Sequence, residues 1–206
     1  MIEFQTWPKT PRLLRDIVIT EKIDGTNSAI IIEQLESFND ADPDALAVLM
    51  NEGLYYQFGA QSRNRLIFPG KTTDNYGFAD WVQHNAEKLF DILGPGRHFG
   101  EWWGHGIARK YDMDHRKFSL FNTSKGVMTR QLGEHKIGTV PVIYSGPFDM
   151  VEICDALDDL KTFGSLAKVG FPDPEGICVF HTQSRQVYKI TLDNNDAGKW
   201  EYGTTV

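Results

Sequence analysis

The chain has 206 residues, 41% hydrophobic and 24% charged, which is ordinary globular composition and excludes wholesale disorder. Its formal net charge of -7 excludes a protein that grips polyanions through a global basic excess. A chain of this length buries roughly 70% of its unfolded surface, so it holds a core without staples.

In chain order, Ile17 to Lys22 is rich in β-branched residues and reads as a strand. Asp24-Gly25 is a turn dipeptide and Ser28 to Glu33 a second β-branched run, so the pair predicts a hairpin-like unit. Asp42-Pro43 predicts a short helix ending near Gly53. Tyr55 to Gly59 and Arg65 to Phe68 read as strands. Phe78, Trp81, Val82, Leu89, Ile92 and Leu93 recur at helical spacing before Gly94-Pro95, predicting one amphipathic helix over 77–93. His98 to Trp103, Lys117 to Asn122 and Val140 to Tyr144 are strand candidates. Asp149 to Leu166 has a helical pattern broken near Gly164, and Ile177 to His181 and Gln186 to Leu192 are closing strands. Many short strands and about three helices in no repeating order predict an α+β fold with largely antiparallel sheets flanked by helices.

No repeat or linker divides the chain, so one domain is expected over residues 1–206. Cys154 and Cys178 are the only cysteines, which excludes a disulfide scaffold and suits a reducing cytosol. The start, Met1 to Gln5, has neither the basic nor the apolar region of a signal peptide, and no apolar run reaches the ~18–20 residues of a membrane span. A cytoplasmic protein without a membrane partner is expected. The segment from His105 to Ile137 carries Arg109, Lys110, Arg116, Lys117, Lys125, Arg130 and Lys136 against Asp112, Asp114 and Glu134. It reads either as a local basic surface or as a solvated loop region.

The familiar phosphate-binding, dinucleotide, zinc-protease and serine-hydrolase signatures are missing. The informative segment is Glu21-Lys22-Ile23-Asp24-Gly25-Thr26-Asn27. A lysine ends a strand, an acid follows two residues later, and then comes a glycine able to take positive φ. A lysine there can project into a cleft and become a nucleophile when held neutral. The same letters also fit a surface lysine beside an Asp-Gly turn. Downstream lie Ser62-Arg63-Asn64, Phe99-Gly100-Glu101-Trp102-Trp103-Gly104, Phe118-Ser119-Leu120-Phe121-Asn122, Glu175-Gly176-Ile177-Cys178-Val179 and Val187-Tyr188-Lys189-Ile190-Thr191.

These six segments, in this order, resemble the motifs of covalent nucleotidyltransferases, and of their RNA ligase branch in particular. The resemblance covers residues 17 to 191. It implies a nucleotidyltransferase (ATP-grasp-like ligase adenylation) domain using ATP with Mg²⁺ or Mn²⁺. It implies that Lys22 attacks the α-phosphate of ATP, expels pyrophosphate and forms a lysyl-AMP. The AMP then passes to a 5′-phosphate on RNA, and a 3′-hydroxyl displaces it to seal the strand. The implied nucleotide-binding residues are Glu21, Lys22, Ile23, Asp24, Gly25, Asn27, Arg63, Glu101, Phe121, Glu175 and Lys189. Among them Arg63 and Lys189 supply charge to phosphate oxygens, Glu101 binds the ribose hydroxyls and Glu175 is the candidate metal ligand. Asp24 and Asn27 orient the lysine, the phosphate or metal-bound water. Phe118 and Phe121 lie on opposite faces of one strand, so only one can stack on adenine, and the pattern selects Phe121. Trp102 and Trp103 read as core and wall.

Two departures from that pattern stand out. The closing strand usually carries Lys-x-Lys, and here Thr191 stands at the second lysine. Fifteen residues follow Thr191, too few for an oligonucleotide-binding barrel or a helical C-terminal domain. RNA is then expected to be gripped by this domain alone, through the 105–136 basic segment, or with a protein partner supplying the grip. Alternatives are a GTP-dependent capping guanylyltransferase, a minimal DNA ligase, or a nucleotide- or RNA-binding domain without turnover.

Overall fold

The computed structural model describes residues 2–193; the expected domain over 1–206 extends past both of these limits. The chain forms two compact units: Met1–Lys22 with Pro141–Val206, and Ile23–Val140.

The first unit is built on β1 (Ile17–Lys22), β10 (Val142–Gly146), β11 (Gly176–His181) and β12 (Gln186–Thr191). They form an antiparallel sheet in the order β10-β1-β11-β12. Alternation along β1 buries Ile17, Ile19 and Glu21 on one face and turns Val18, Thr20 and Lys22 to the other. The buried face packs against α3 (Met150–Phe163) through Ile153, Ala156 and Leu160, with Ile177 and Val179 from β11. The Asp149 carboxylate caps α3 by accepting from the Val151 N–H at 2.8 Å. Gly164 ends it with φ 82°, where a Cβ would stand 2.5 Å from the Phe171 carbonyl oxygen.

The second unit carries an eight-stranded sheet. Its strands are β2 (Thr26–Leu35), β3 (Ala47–Asn51), β4 (Leu54–Ser62), β5 (Leu66–Ile67), β6 (Gly96–Gly104), β7 (Arg116–Leu120), β8 (Arg130–Leu132) and β9 (His135–Thr139). The order is β3-β4-β2-β6-β7-β9-β8, with β5 paired to β4. Only the β7–β9 pair, among the described residues, is parallel. One face is covered by α1 (Phe78–His84) and α2 (Ala86–Leu93). There Phe78, Trp81, Trp102, Phe118 and Phe58 build an aromatic core with Ile30, Ile32 and Leu89. The indole N–H groups are satisfied: Trp81 donates to the Leu132 carbonyl at 2.9 Å and Trp102 to the Tyr76 carbonyl at 3.1 Å.

Three expected elements fold differently. The β1–β2 hairpin does not form: β1 pairs with β10 and β11, while β2 pairs with β4 and β6. Asp24-Gly25 instead carries the chain from one sheet into the other. The helix expected over 43–53 is a turn followed by β3, whose hairpin to β4 closes at Glu52 (φ 51°) and Gly53 (φ 80°). Two successive positive φ values suit a tight hairpin turn, and pairing with β4 overrides the helical preference of Ala, Leu and Met. The helix expected over 77–93 is two helices meeting at Asn85. The Asn85 side chain donates to the Trp81 carbonyl at 2.8 Å, taking the place of a helical backbone bond.

Candidate nucleotidyl-transfer site

The expected site residues fall in both units. Glu21, Lys22, Glu175 and Lys189 belong to the first; Ile23, Asp24, Gly25, Asn27, Arg63, Glu101 and Phe121 belong to the second.

In the first unit, Lys22 ends β1 and Glu175 directly precedes β11. Lys22 Nζ lies 2.5 Å from Glu175 Oε2, a contact spanning 153 positions. Opposed residues in a sheet share a face. The register sets Lys22 opposite Gly176 and Gly176 opposite Thr191. It also sets Thr20 opposite Cys178 and Cys178 opposite Lys189. Lys22, Lys189 and Thr191 therefore share the face turned away from α3. Position 191, where the family pattern has its second lysine, stands across Gly176 from Lys22. Lys189 is exposed on β12.

Glu21 faces the other way and is only 1% exposed. Its carboxylate accepts from the Ser165 hydroxyl at 2.6 Å and from the Leu166 and Ala167 N–H groups at 2.8 and 2.7 Å. Its side chain thus anchors the turn after α3.

In the second unit, Ile23 is buried and Asp24 is held at two points. Its N–H donates to the Tyr111 phenol oxygen at 2.9 Å, and its Oδ2 lies 3.3 Å from Arg109 Nε. Gly25 does not take positive φ, the freedom expected of it. It is needed for close approach, since a Cβ would stand 2.5 Å from the Trp102 carbonyl oxygen and 2.7 Å from Trp103 Cβ. Asn27 is opposite Glu101, and Glu101 opposite Ser119. Phe99 lies two residues before Glu101, Phe121 two after Ser119, and the Phe121 N–H donates to the Phe99 carbonyl at 3.0 Å. Asn27, Glu101, Phe99 and Phe121 therefore share the sheet face opposite the aromatic core. Phe121 is 43% exposed, whereas Phe118 is wholly buried. Arg63 is exposed in the turn after β4.

Four of the seven cations of the 105–136 segment make contacts within the protein, while Lys110 and Arg130 are exposed. Arg109 is engaged with Asp24, and Arg116 Nε donates to the His105 carbonyl at 3.1 Å. Lys125 donates to the Leu93 carbonyl at 2.7 Å. Lys117, only 8% exposed, donates to Thr129 Oγ1 at 3.0 Å and sits 5.7 Å from the Trp103 ring centroid. Contacts of this kind cannot be read from composition. Arg109 and Tyr111 are the contacts that sequence reasoning missed. They lie 85 and 87 positions from Asp24 and belong to no recognisable motif.

Among the described residues no group of three or more His, Cys, Asp or Glu side chains could hold a metal by itself. Nor is any helix among them long and apolar enough to cross a membrane.

The RNA ligase family profile matches residues 15–194, and the chain belongs to that family. No curated protein matches the sequence. Among solved structures, a lysine-substituted Naegleria gruberi RNA ligase with ATP and Mn is similar at 14% identity and a TM-score of 0.51, covering 85% of this chain and 48% of its own. Another lysine variant, with AMP and Mn, gives 14% identity and a TM-score of 0.50, with 86% and 49% covered. A ligand-free variant of Naegleria gruberi RNA ligase gives 13% identity and a TM-score of 0.50, again with 86% and 49% covered. These likenesses are of fold. The chain spans about half the length of the structures it matches.

Proposed function

We propose that this chain is an ATP-dependent RNA ligase that joins 5′-phosphate and 3′-hydroxyl RNA ends through a lysyl-AMP on Lys22. The observation that carries the reading is the pair Lys22–Glu175, two motif residues brought to 2.5 Å from 153 positions apart.

Lys22 Nζ must lose a proton before it can attack, and Glu175 Oε2 is an acceptor within hydrogen-bond reach. The amine then bonds to the α-phosphorus of ATP while the bond to the β-phosphate oxygen breaks, and pyrophosphate leaves. Such a transfer needs positioning and charge neutralisation more than covalent help. Arg63 and Lys189 supply fixed positive charge to phosphate oxygens. Glu101 accepts from the ribose hydroxyls, Phe121 stacks on adenine, and Asp24 and Asn27 orient the reacting groups. Ile23 and Gly25 hold the backbone between them. Thr191 contributes a hydroxyl where a second lysine would contribute charge. The Glu175 carboxylate fits a divalent Mg²⁺ or Mn²⁺ ion of the kind that takes most of its ligands from substrate phosphates and water. When bound, such an ion neutralises charge on the phosphates. The AMP next passes to the 5′-phosphate of RNA, and the 3′-hydroxyl expels it.

The test is incubation of the purified protein with α-labelled ATP and Mg²⁺ or Mn²⁺, followed by denaturation. Label is expected on the protein and absent from Lys22→Ala. Label retained by Lys22→Ala, or a wild type that neither labels nor carries AMP by intact mass, overturns the reading.

A further inference from the structure

We propose that the loop between β6 and β7 acts as a clamp on the nucleotidyl-transfer motif, with Arg109 and Tyr111 as positioning residues acting through Asp24. The proposal rests on the reading of the preceding section and adds to it two residues outside the motifs.

Three observations converge. The first is contact at both ends of one residue. Tyr111 holds the backbone of Asp24 by accepting its N–H at 2.9 Å, and Arg109 Nε lies in ion-pair range of its carboxylate at 3.3 Å. Main chain and side chain of a motif residue are thus held from one loop. The second is backbone conformation. Ala108, Lys110, Tyr111 and Asp112 have φ of 42°, 62°, 50° and 49°, a left-handed run without a glycine among the four. Side chains with a Cβ take that region at a cost, and such conformations persist where surrounding structure over-determines them. The third is what over-determines it here. Tyr111 is wholly buried and packs edge-on to Trp103 at 4.7 Å between centroids. Trp103 is itself buried and donates to Ser119 Oγ at 2.9 Å. Ile107, also buried, anchors the start of the loop by donating to the Gly104 carbonyl at 3.0 Å.

The arrangement runs from the sheet interior through Trp103 and Tyr111 to the turn that follows Lys22. Arg109 is withdrawn, with 13% of its side chain exposed, while Asp24 keeps 34%. One edge of the carboxylate is held and the remainder stays accessible. A guanidinium sunk this far serves fixed geometry, because a solvated cation would lose less by staying in water. Gly25 is locked on the other side by its approach to the Trp102 carbonyl. Together they leave the turn little freedom, and small misplacements in phosphoryl transfer are costly.

The test is single-turnover self-adenylylation followed across ATP concentrations, with melting temperature recorded for each variant. Tyr111→Phe keeps the ring packing and removes only the acceptor of the Asp24 N–H. It is expected to lower the maximal labelling rate about three- to tenfold, with half-saturating ATP little changed and melting lowered by about 2–4 °C per kcal/mol of the lost hydrogen bond. Arg109→Met is expected to lower the rate on the order of 10–100-fold and Arg109→Lys to recover part of it. In an Asp24→Ala background, Arg109→Met should add nothing further. Variants that label at the wild-type rate, losses that multiply in the double variant, or a loss carried entirely by weaker ATP binding overturn the proposal. Should Arg109→Met fail to fold, Tyr111→Phe decides the matter by the same rate. A wild type that neither takes label nor carries AMP by intact mass overturns the ligase reading and the clamp with it. A wild type that labels beside unaffected variants overturns the clamp alone.

Discussion

The two halves of the Glu21–Asn27 motif are supported by different materials. Glu21 and Lys22 end a strand over an aliphatic core of Ile17, Ile19, Ile153, Ala156, Leu160, Ile177 and Val179. Asp24 to Asn27 lead into a strand over a core containing Phe58, Phe78, Trp81, Trp102 and Phe118. The first half holds the Lys22 side chain by one ion pair, Lys22–Glu175, both partners partly buried. The second holds Asp24 by backbone and side chain at once. Under the proposed function, with Lys22 as nucleophile and Asp24 in the frame that orients it, the contrast matches what each must do. A nucleophile has to exchange partners during reaction, so a single contact suffices. The frame that orients it has to stay fixed, and large interlocked aromatics hold a frame well.

The largest effect that would test this contrast is a lesion in the aromatic core. Trp102→Ala deletes a wholly buried indole that stacks on Trp81 at 5.1 Å and donates to the Tyr76 carbonyl. A cost of about 3–5 kcal/mol is expected by denaturant titration. A loss below about 1 kcal/mol would show that the aromatic cluster does not provide the rigidity claimed for it.

A smaller effect is expected where the first unit relies on polar rather than aromatic support. Glu21→Ala removes the acceptor of three donors at Ser165, Leu166 and Ala167. Buried donors left without a partner are costly, and about 3 kcal/mol is expected. The loss should be local as well, with faster amide exchange at Leu166 and Ala167. Unchanged exchange there would mean that the carboxylate does not anchor the turn.

Strand β1 and helix α3 were legible because their signals are local. The β-branched run from Ile17 to Thr20, and the helical pattern that begins at Asp149 and breaks near Gly164, need no partner to be read. Strand β3 was not legible, because Ala47 to Met50 are good helix formers and only the β4 edge decides otherwise. Strands β8 and β9 were missed outright. They are short and partly polar, and β9 is fixed by parallel pairing to β7. The motif letters of the site could be read, but what holds them could not. Glu21 reads the same whether its carboxylate meets a nucleotide or the Ser165 turn. Gly25 reads as a turn glycine when its task is to let the Trp102 carbonyl approach. Arg109 reads as one cation among seven until the fold sets it beside Asp24.

The smallest effect concerns two imidazoles of the second unit, and it separates burial from charge as the source of that unit's stability. Burial lowers the pKa of His98 below its ordinary value of 6.5, with nearby Lys125 adding to the effect and the bond to the Gly94 carbonyl opposing it. Burial also lowers that of His135, with Arg116 next in importance. His135 Nδ1 accepts the Arg116 N–H at 3.4 Å, which a protonated ring could not do at that atom. In both cases the unfolded chain binds a proton more readily than the folded one, so stability rises with pH across the interval between the two pKa values. Read downward, the melting temperature should begin to fall as pH drops through about 6.5 and level off below the lowered folded values. Carboxylates that titrate near pH 4 lie outside the upper part of that interval. Replacing both histidines with glutamine should flatten the curve between about pH 7 and 5.5. A slope that survives the double substitution would assign the titration to groups other than these two imidazoles.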